Sequence, residues 1–129
     1  MSSVGHGLVG AWRLESWSFE YEDGRREFPL GPEARGMLLY TPEGQVSATL
    51  MSTAARGTDQ PHASLAYAGR YEERDGTVHH SIDIASDPAL VGVTTTRHIA
   101  WDGDGLMLSG PDFRAGTGRS EKIVWRRLS

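Results

Sequence analysis

The sequence predicts an all-β fold: a single closed antiparallel barrel of eight or nine strands around a central cavity. Short segments of alternating apolar and polar residues recur along the chain, separated by glycine-bearing turn signals at hairpin spacing. No helix-length window carries the i, i+3, i+4, i+7 apolar pattern of an amphipathic helix. Sixteen glycines and six prolines supply the turns that such a chain needs. Eight strands is the count at which a closed barrel can hold one small ligand, and closure leaves no unpaired edge.

The first strand is expected over residues 8–21. At a strict period of two, Trp12 and Leu14 share one face while Ala11, Trp17, Phe19 and Tyr21 share the other. A strand of this length is expected to bend or bulge, which would switch the faces partway. Asp23-Gly24 turns it into a short return over 25–28, and Pro29 to Pro32 breaks the run. A strand over 36–41 follows, then a tight turn at Pro42-Glu43-Gly44. The strand 45–51 comes next, with Val46, Ala48 and Leu50 on one face. Residues 52–64 read as a polar loop, with one helical turn expected at 64–67. The clearest hairpin is 67–74, Asp75-Gly76, 77–84. Ser86-Asp87-Pro88 opens a connection to a strand over 91–101, which Asp102 to Gly105 turns into 106–109. A glycine-rich loop at 110–118 leads to the last strand, 119–128.

Composition excludes several functions. The 129 residues fit one domain spanning 1–129, long enough to bury a core without a metal or disulfide. The chain has no cysteine, so disulfides, thiolate zinc sites and thiol nucleophiles are ruled out, and a cytoplasmic location is favoured. The opening residues lack the basic and apolar regions of a signal peptide, and no apolar run is long enough to span a bilayer. Net charge is −4 with both signs interspersed, which argues against a nucleic-acid partner.

Several stretches, taken in order, resemble the lipocalin-like domain proteins of bacteria and fungi. They are GAWRLESW (10–17), DGRREFPLG (23–31), GMLLYTPEGQVS (36–47), YAGRYEERDGTVHHSIDIASDPALVG (67–92), TRHIAWDGDGLMLS (96–109) and WRRL (125–128). The resemblance implies a lipocalin-like barrel. It also implies that Trp12, in Gly10-Ala11-Trp12, plugs one end beneath an arginine of the last strand, Arg126 or Arg127. The alternative is an ordinary core tryptophan with both arginines solvated. The segment between Met51 and Tyr67 is shorter than the family's and is expected as a flap over the barrel mouth.

Alternation picks out the residues that could carry chemistry. Val78, His80, Ile82 and Ile84 share the more apolar side of their strand, so His80 rather than His79 is expected inside, as a proton carrier or as a structural histidine. Arg97 lies with Val93, Thr95, Ile99 and Trp101, and a buried guanidinium needs an acceptor. That acceptor is either an internal acid, for which Glu15 and Glu20 are candidates, or a ligand oxygen. Tyr40 and Tyr71 could each aim a hydroxyl inward or simply pack. The catalytic set is thus His80, Arg97 and Tyr40. The ligand-binding set is Trp12, Leu14, Leu38, Tyr71, Val78, Ile82 and Trp101.

Adjacent His79 and His80 face opposite ways, His98 faces opposite Arg97, and His6 and His62 fall in loops. No metal-ligand spacing results. There is no G-x-S-x-G elbow, and Gly116-Thr117-Gly118 has no strand-to-helix context, so no cofactor is expected. The expected partner is a small apolar or polyketide-like molecule. What the resemblance to lipocalin-like barrels implies is that this molecule is handled by a cofactor-free isomerase, cyclase or lyase of secondary metabolism, the alternatives being a non-catalytic carrier or sequestering protein and a structural barrel with a filled core. The chain would be a monomer or a homodimer, with Trp17 or Phe19, if outside, at the contact.

Overall fold

The computed structural model describes residues 7–31, 33–52, 64–111 and 118–128. Its strands are Gly10–Tyr21 (β1), Arg26–Glu27 (β2), Arg35–Tyr40 (β3), Gln45–Met51 (β4) and Ser64–Arg74 (β5). They continue with Thr77–Ala85 (β6), Thr94–Asp102 (β7), Gly105–Pro111 (β8) and Arg119–Arg127 (β9). From β3 to β9 each strand pairs antiparallel with the next, and β1 pairs with both β3 and β9. Eight strands therefore close on themselves. The two-residue β2 extends the ladder on the far half of β1, at Phe19 and Glu20. No helix among the described residues is long and apolar enough to cross a membrane.

The expected helical turn at 64–67 is instead the start of β5, which adds Leu65 and Ala66 opposite Leu50 and Thr49 of β4. Pairing with β4 satisfies backbone groups that one isolated helical turn would leave open. The expected flap lies almost wholly outside the described residues, as do His6, His62 and residues 112–117 of the glycine-rich loop. At the β5–β6 hairpin, Asp75 and Gly76 have φ of 53° and 80°, the left-handed pair that a two-residue turn between twisted strands requires.

Two bulges decide which way side chains point. In β1 the register with β9 shifts between Leu14 and Ser16, leaving Glu15 as the extra residue. Trp12 and Leu14 point inward before it, and Trp17 and Phe19 point inward after it. These two aromatics line the interior and do not supply an outer contact. The bulge also turns Glu15 outward, where it accepts from Arg126 Nε at 2.6 Å, while Glu20 pairs with Arg26. Neither is the internal acid expected for Arg97. In β6, Ile82 pairs with Gly69 and Ile84 with Ala68, so Asp83 is the extra residue and Ile84 faces solvent at 66% exposure. Glycine is needed at 69 because a Cβ there would meet the Ser81 carbonyl oxygen at 1.9 Å.

One end of the barrel is packed solid by Trp12, Leu14, Leu38, Tyr40, Val78 and Leu106. The Trp12 indole N–H donates to the Leu8 carbonyl at 2.9 Å, and the Arg127 guanidinium lies 4.1 Å from the centre of its ring. Arg127 also donates to the carbonyls of Val9 and Gly7. The last strand is thereby clamped to the first by Arg127, with Arg126 on the outside. Replacing Arg127 with methionine should lower stability by about 1 kcal/mol, since the contact is partly exposed. The check is a shift of the urea midpoint with an unchanged slope.

Candidate functional site

The other end of the barrel is hollow. Its cavity of about 420 Å³ falls in the range that small-molecule sites occupy. Apolar walls come from Trp17, Phe19, Leu50, Ile82, Ile123 and Trp125, and the 3₁₀ turn Pro88–Leu90 presses Leu90 into the rim. Asp87 caps that turn by accepting from the Ala89 amide at 3.0 Å.

Polar groups on the wall fall into two stations. In the first, Arg97 Nη2 lies 3.2 Å from Glu121 Oε1, both side chains being more than nine-tenths buried. Arg97 Nη1 donates to the carbonyls of Thr96 at 3.1 Å and Pro111 at 3.4 Å. Glu121 is the internal acid that the sequence left open. It was detectable in principle, because a period of two along β9 puts it on the face of Ile123 and Trp125.

The second station is Tyr67, backed by His80. The Tyr67 hydroxyl sits 2.7 Å from His80 Nδ1, and the Tyr40 hydroxyl sits 2.6 Å from Nε2. Burial pulls the His80 pKa down to about 3, helped by the charge of Arg97 and by His79. Burial likewise raises both hydroxyls above the usual tyrosine range. All three groups are therefore neutral at pH 7. A neutral imidazole has one N–H and one lone pair, so the hydrogen bonds run one way along the chain. When Tyr40 donates to Nε2 and Nδ1–H donates to Tyr67, the Tyr67 proton is free for a ligand.

The expected residues divide between the two ends. Arg97 and Ile82 line the cavity. His80 and Tyr40 stand behind it, reaching it through Tyr67, which the sequence reading did not single out. Its place on the wall follows from its pairing with Ala48 in the early part of β5. Trp12, Leu14, Leu38 and Val78 belong to the packed end. Tyr71 packs its ring on Tyr40 at 4.7 Å and donates to the Thr41 carbonyl at 2.7 Å. Trp101 lies 6.0 Å from Trp12 at the plugged end and is 46% exposed. It follows the inward alternation of β7 past the point where the barrel stops enclosing it. His79 is on the outer face, 3.0 Å from the Thr96 hydroxyl.

Three buried polar atoms have no hydrogen-bond partner among the described residues: the indole nitrogens of Trp17 and Trp125 and the Thr95 hydroxyl. All three belong to cavity-lining residues. Each of these atoms has almost no accessible surface of its own, so it is packed within the wall and is not presented to a guest in the cavity.

Comparison with known proteins agrees with this architecture. No curated protein matches the chain. Among solved structures, a lipocalin-like protein from Bacteroides uniformis superposes with a TM-score of 0.54 at 16% identity, covering 94% of this chain and 98% of its own. An uncharacterized protein from Bacteroides eggerthii gives 0.52 at 13% identity, with 95% and 100% covered. A redesigned β-barrel gives 0.51 at 15% identity, with 95% and 92% covered. At these identities the likeness is one of fold. The profile of the lipocalin-like domain matches residues 9–63 and 54–128, nearly the whole sequence. With its eight-stranded closure and its arginine-capped tryptophan plug, this chain belongs to the lipocalin-like domain family.

Proposed function

We propose that the barrel binds one small, mostly apolar molecule bearing oxygen, held between the Arg97–Glu121 pair and the Tyr67 hydroxyl. The observation that carries this reading is one cavity of about 420 Å³ with mostly apolar walls, on which the polar groups Arg97, Glu121 and Tyr67 are brought together. Apolar walls supply affinity through burial, and a few placed polar groups fix orientation. The test is a titration with 1-aminoanthracene, an uncharged fluorophore that brightens on leaving water. Saturable binding is expected, and Ala48→Phe should weaken it at least tenfold, because Ala48 is a buried cavity-wall residue whose enlargement fills the space. Unchanged binding by a folded Ala48→Phe protein would place the probe elsewhere and sink the reading.

A second reading, cofactor-free isomerase, cyclase or lyase chemistry on such a molecule in bacterial secondary metabolism, is favoured by the Tyr40–His80–Tyr67 chain. Tyr67 would polarise a carbonyl by donating a hydrogen bond to it, and His80, itself held by Tyr40, would orient that hydroxyl from behind. An imidazole held near 3 is a poor base, so His80 acts here through Tyr67 and not directly on the substrate. Turnover should then be lost in Tyr67→Phe and His80→Ala while probe affinity stays within a few-fold. A parallel loss of affinity favours the carrier reading. The cytoplasmic setting expected from the cysteine-free composition belongs to this proposal.

A further inference from the structure

The cavity wall carries two cations and three carboxylates: Arg97 and Arg119 against Glu27, Asp87 and Glu121. Each arginine is matched. Arg97 faces Glu121 at 3.2 Å, deep in the wall, and Arg119 Nη1 lies 3.2 Å from Glu27 Oε1, with its guanidinium over the Phe19 ring. We infer that the cavity selects uncharged ligands, ketones, lactones, phenols or alcohols, and rejects carboxylates of the same shape. This rests on the proposal that the cavity is a binding site.

The reason is electrostatic. A ligand carboxylate seated at Arg97 would leave water and lie within a few ångströms of the Glu121 carboxylate. In a partly desolvated site the repulsion between such neighbours costs at least tenfold in affinity. A carbonyl or hydroxyl oxygen accepts from the Arg97 fork or the Tyr67 hydroxyl without that repulsion, and Glu121 can accept from a hydroxyl. The pair thus behaves as a polar bracket with no net charge. An arginine in an apolar cavity ordinarily points to an anionic guest, and here the carboxylate two strands away cancels that expectation.

The test compares two ligands of matched shape, 2-acetylnaphthalene and 2-naphthoate, as competitors of bound 1-aminoanthracene at pH 7.5. The ketone should displace the probe at a concentration at least tenfold lower than the carboxylate. In Glu121→Gln, the ratio of naphthoate to ketone affinity should rise at least tenfold. If the wild-type protein gives no saturable probe binding, the binding reading fails and takes this inference with it. If the probe binds and naphthoate is not the weaker competitor, the binding reading stands and charge selection is wrong. The same holds if folded Glu121→Gln leaves the ratio unchanged. The wild-type comparison needs no variant, so it decides the matter even where the substitution does not fold.

Discussion

Replacing Arg97 by leucine should destabilise the barrel by about 3–5 kcal/mol, the usual cost of leaving a buried charge without its partner. The carboxylate of Glu121 would keep its position deep in the wall, having lost the guanidinium at 3.2 Å. Glu121→Leu should cost a similar amount for the mirror-image reason. The double substitution should recover to within about 1 kcal/mol of the parent, because removing both charges also removes the cost of desolvating them. Urea unfolding of the four proteins gives the coupling directly. Single variants that each lose less than about 1 kcal/mol would mean that water reaches and screens the pair. The polar station would then be a solvated surface feature and not a fixed bracket.

The second large effect is on acid stability. His80 is buried, and its pKa is held near 3 against about 6.5 for the free side chain. Between those values the unfolded chain binds a proton that the folded barrel refuses, so stability rises with pH across that window. The native-state advantage is complete above about pH 7.5 and falls as pH drops through 6.5. It is about 2 kcal/mol smaller at pH 5 and levels off only near pH 3. His80→Gln retains a donor and an acceptor for the two tyrosines but does not titrate. The difference in unfolding free energy between wild type and His80→Gln should therefore carry this slope. Parallel pH profiles for the two proteins would show that the imidazole titrates normally in the folded state.

Both predictions depend on partners that no stretch of sequence contains. The inward placement of His80 and Arg97 was legible, since each sits on the apolar side of a strand whose alternation is unbroken at that point. The hydroxyls that clasp His80 come from β3 and β5, and the acid that neutralises Arg97 comes from β9. Trp101 shows the converse failure. Its alternation is correct, but it stands where the barrel wall ends, so an inward direction no longer means burial. Ile84 fails for another reason: one extra residue, Asp83, turns everything after it to the opposite face.

Turn chemistry and two-residue alternation are properties of neighbours along the chain. They sufficed to specify an antiparallel all-β barrel, the order of its hairpins, the tryptophan at one end and the inward imidazole and guanidinium. Which end stays hollow, where each strand bulges, and the pairing of Arg97 with Glu121 and of His80 with two tyrosines were decided only by closure. The assembled barrel brings together residues 13 to 40 positions apart and lays β9 against β1, and these contacts depend on register around the whole ring.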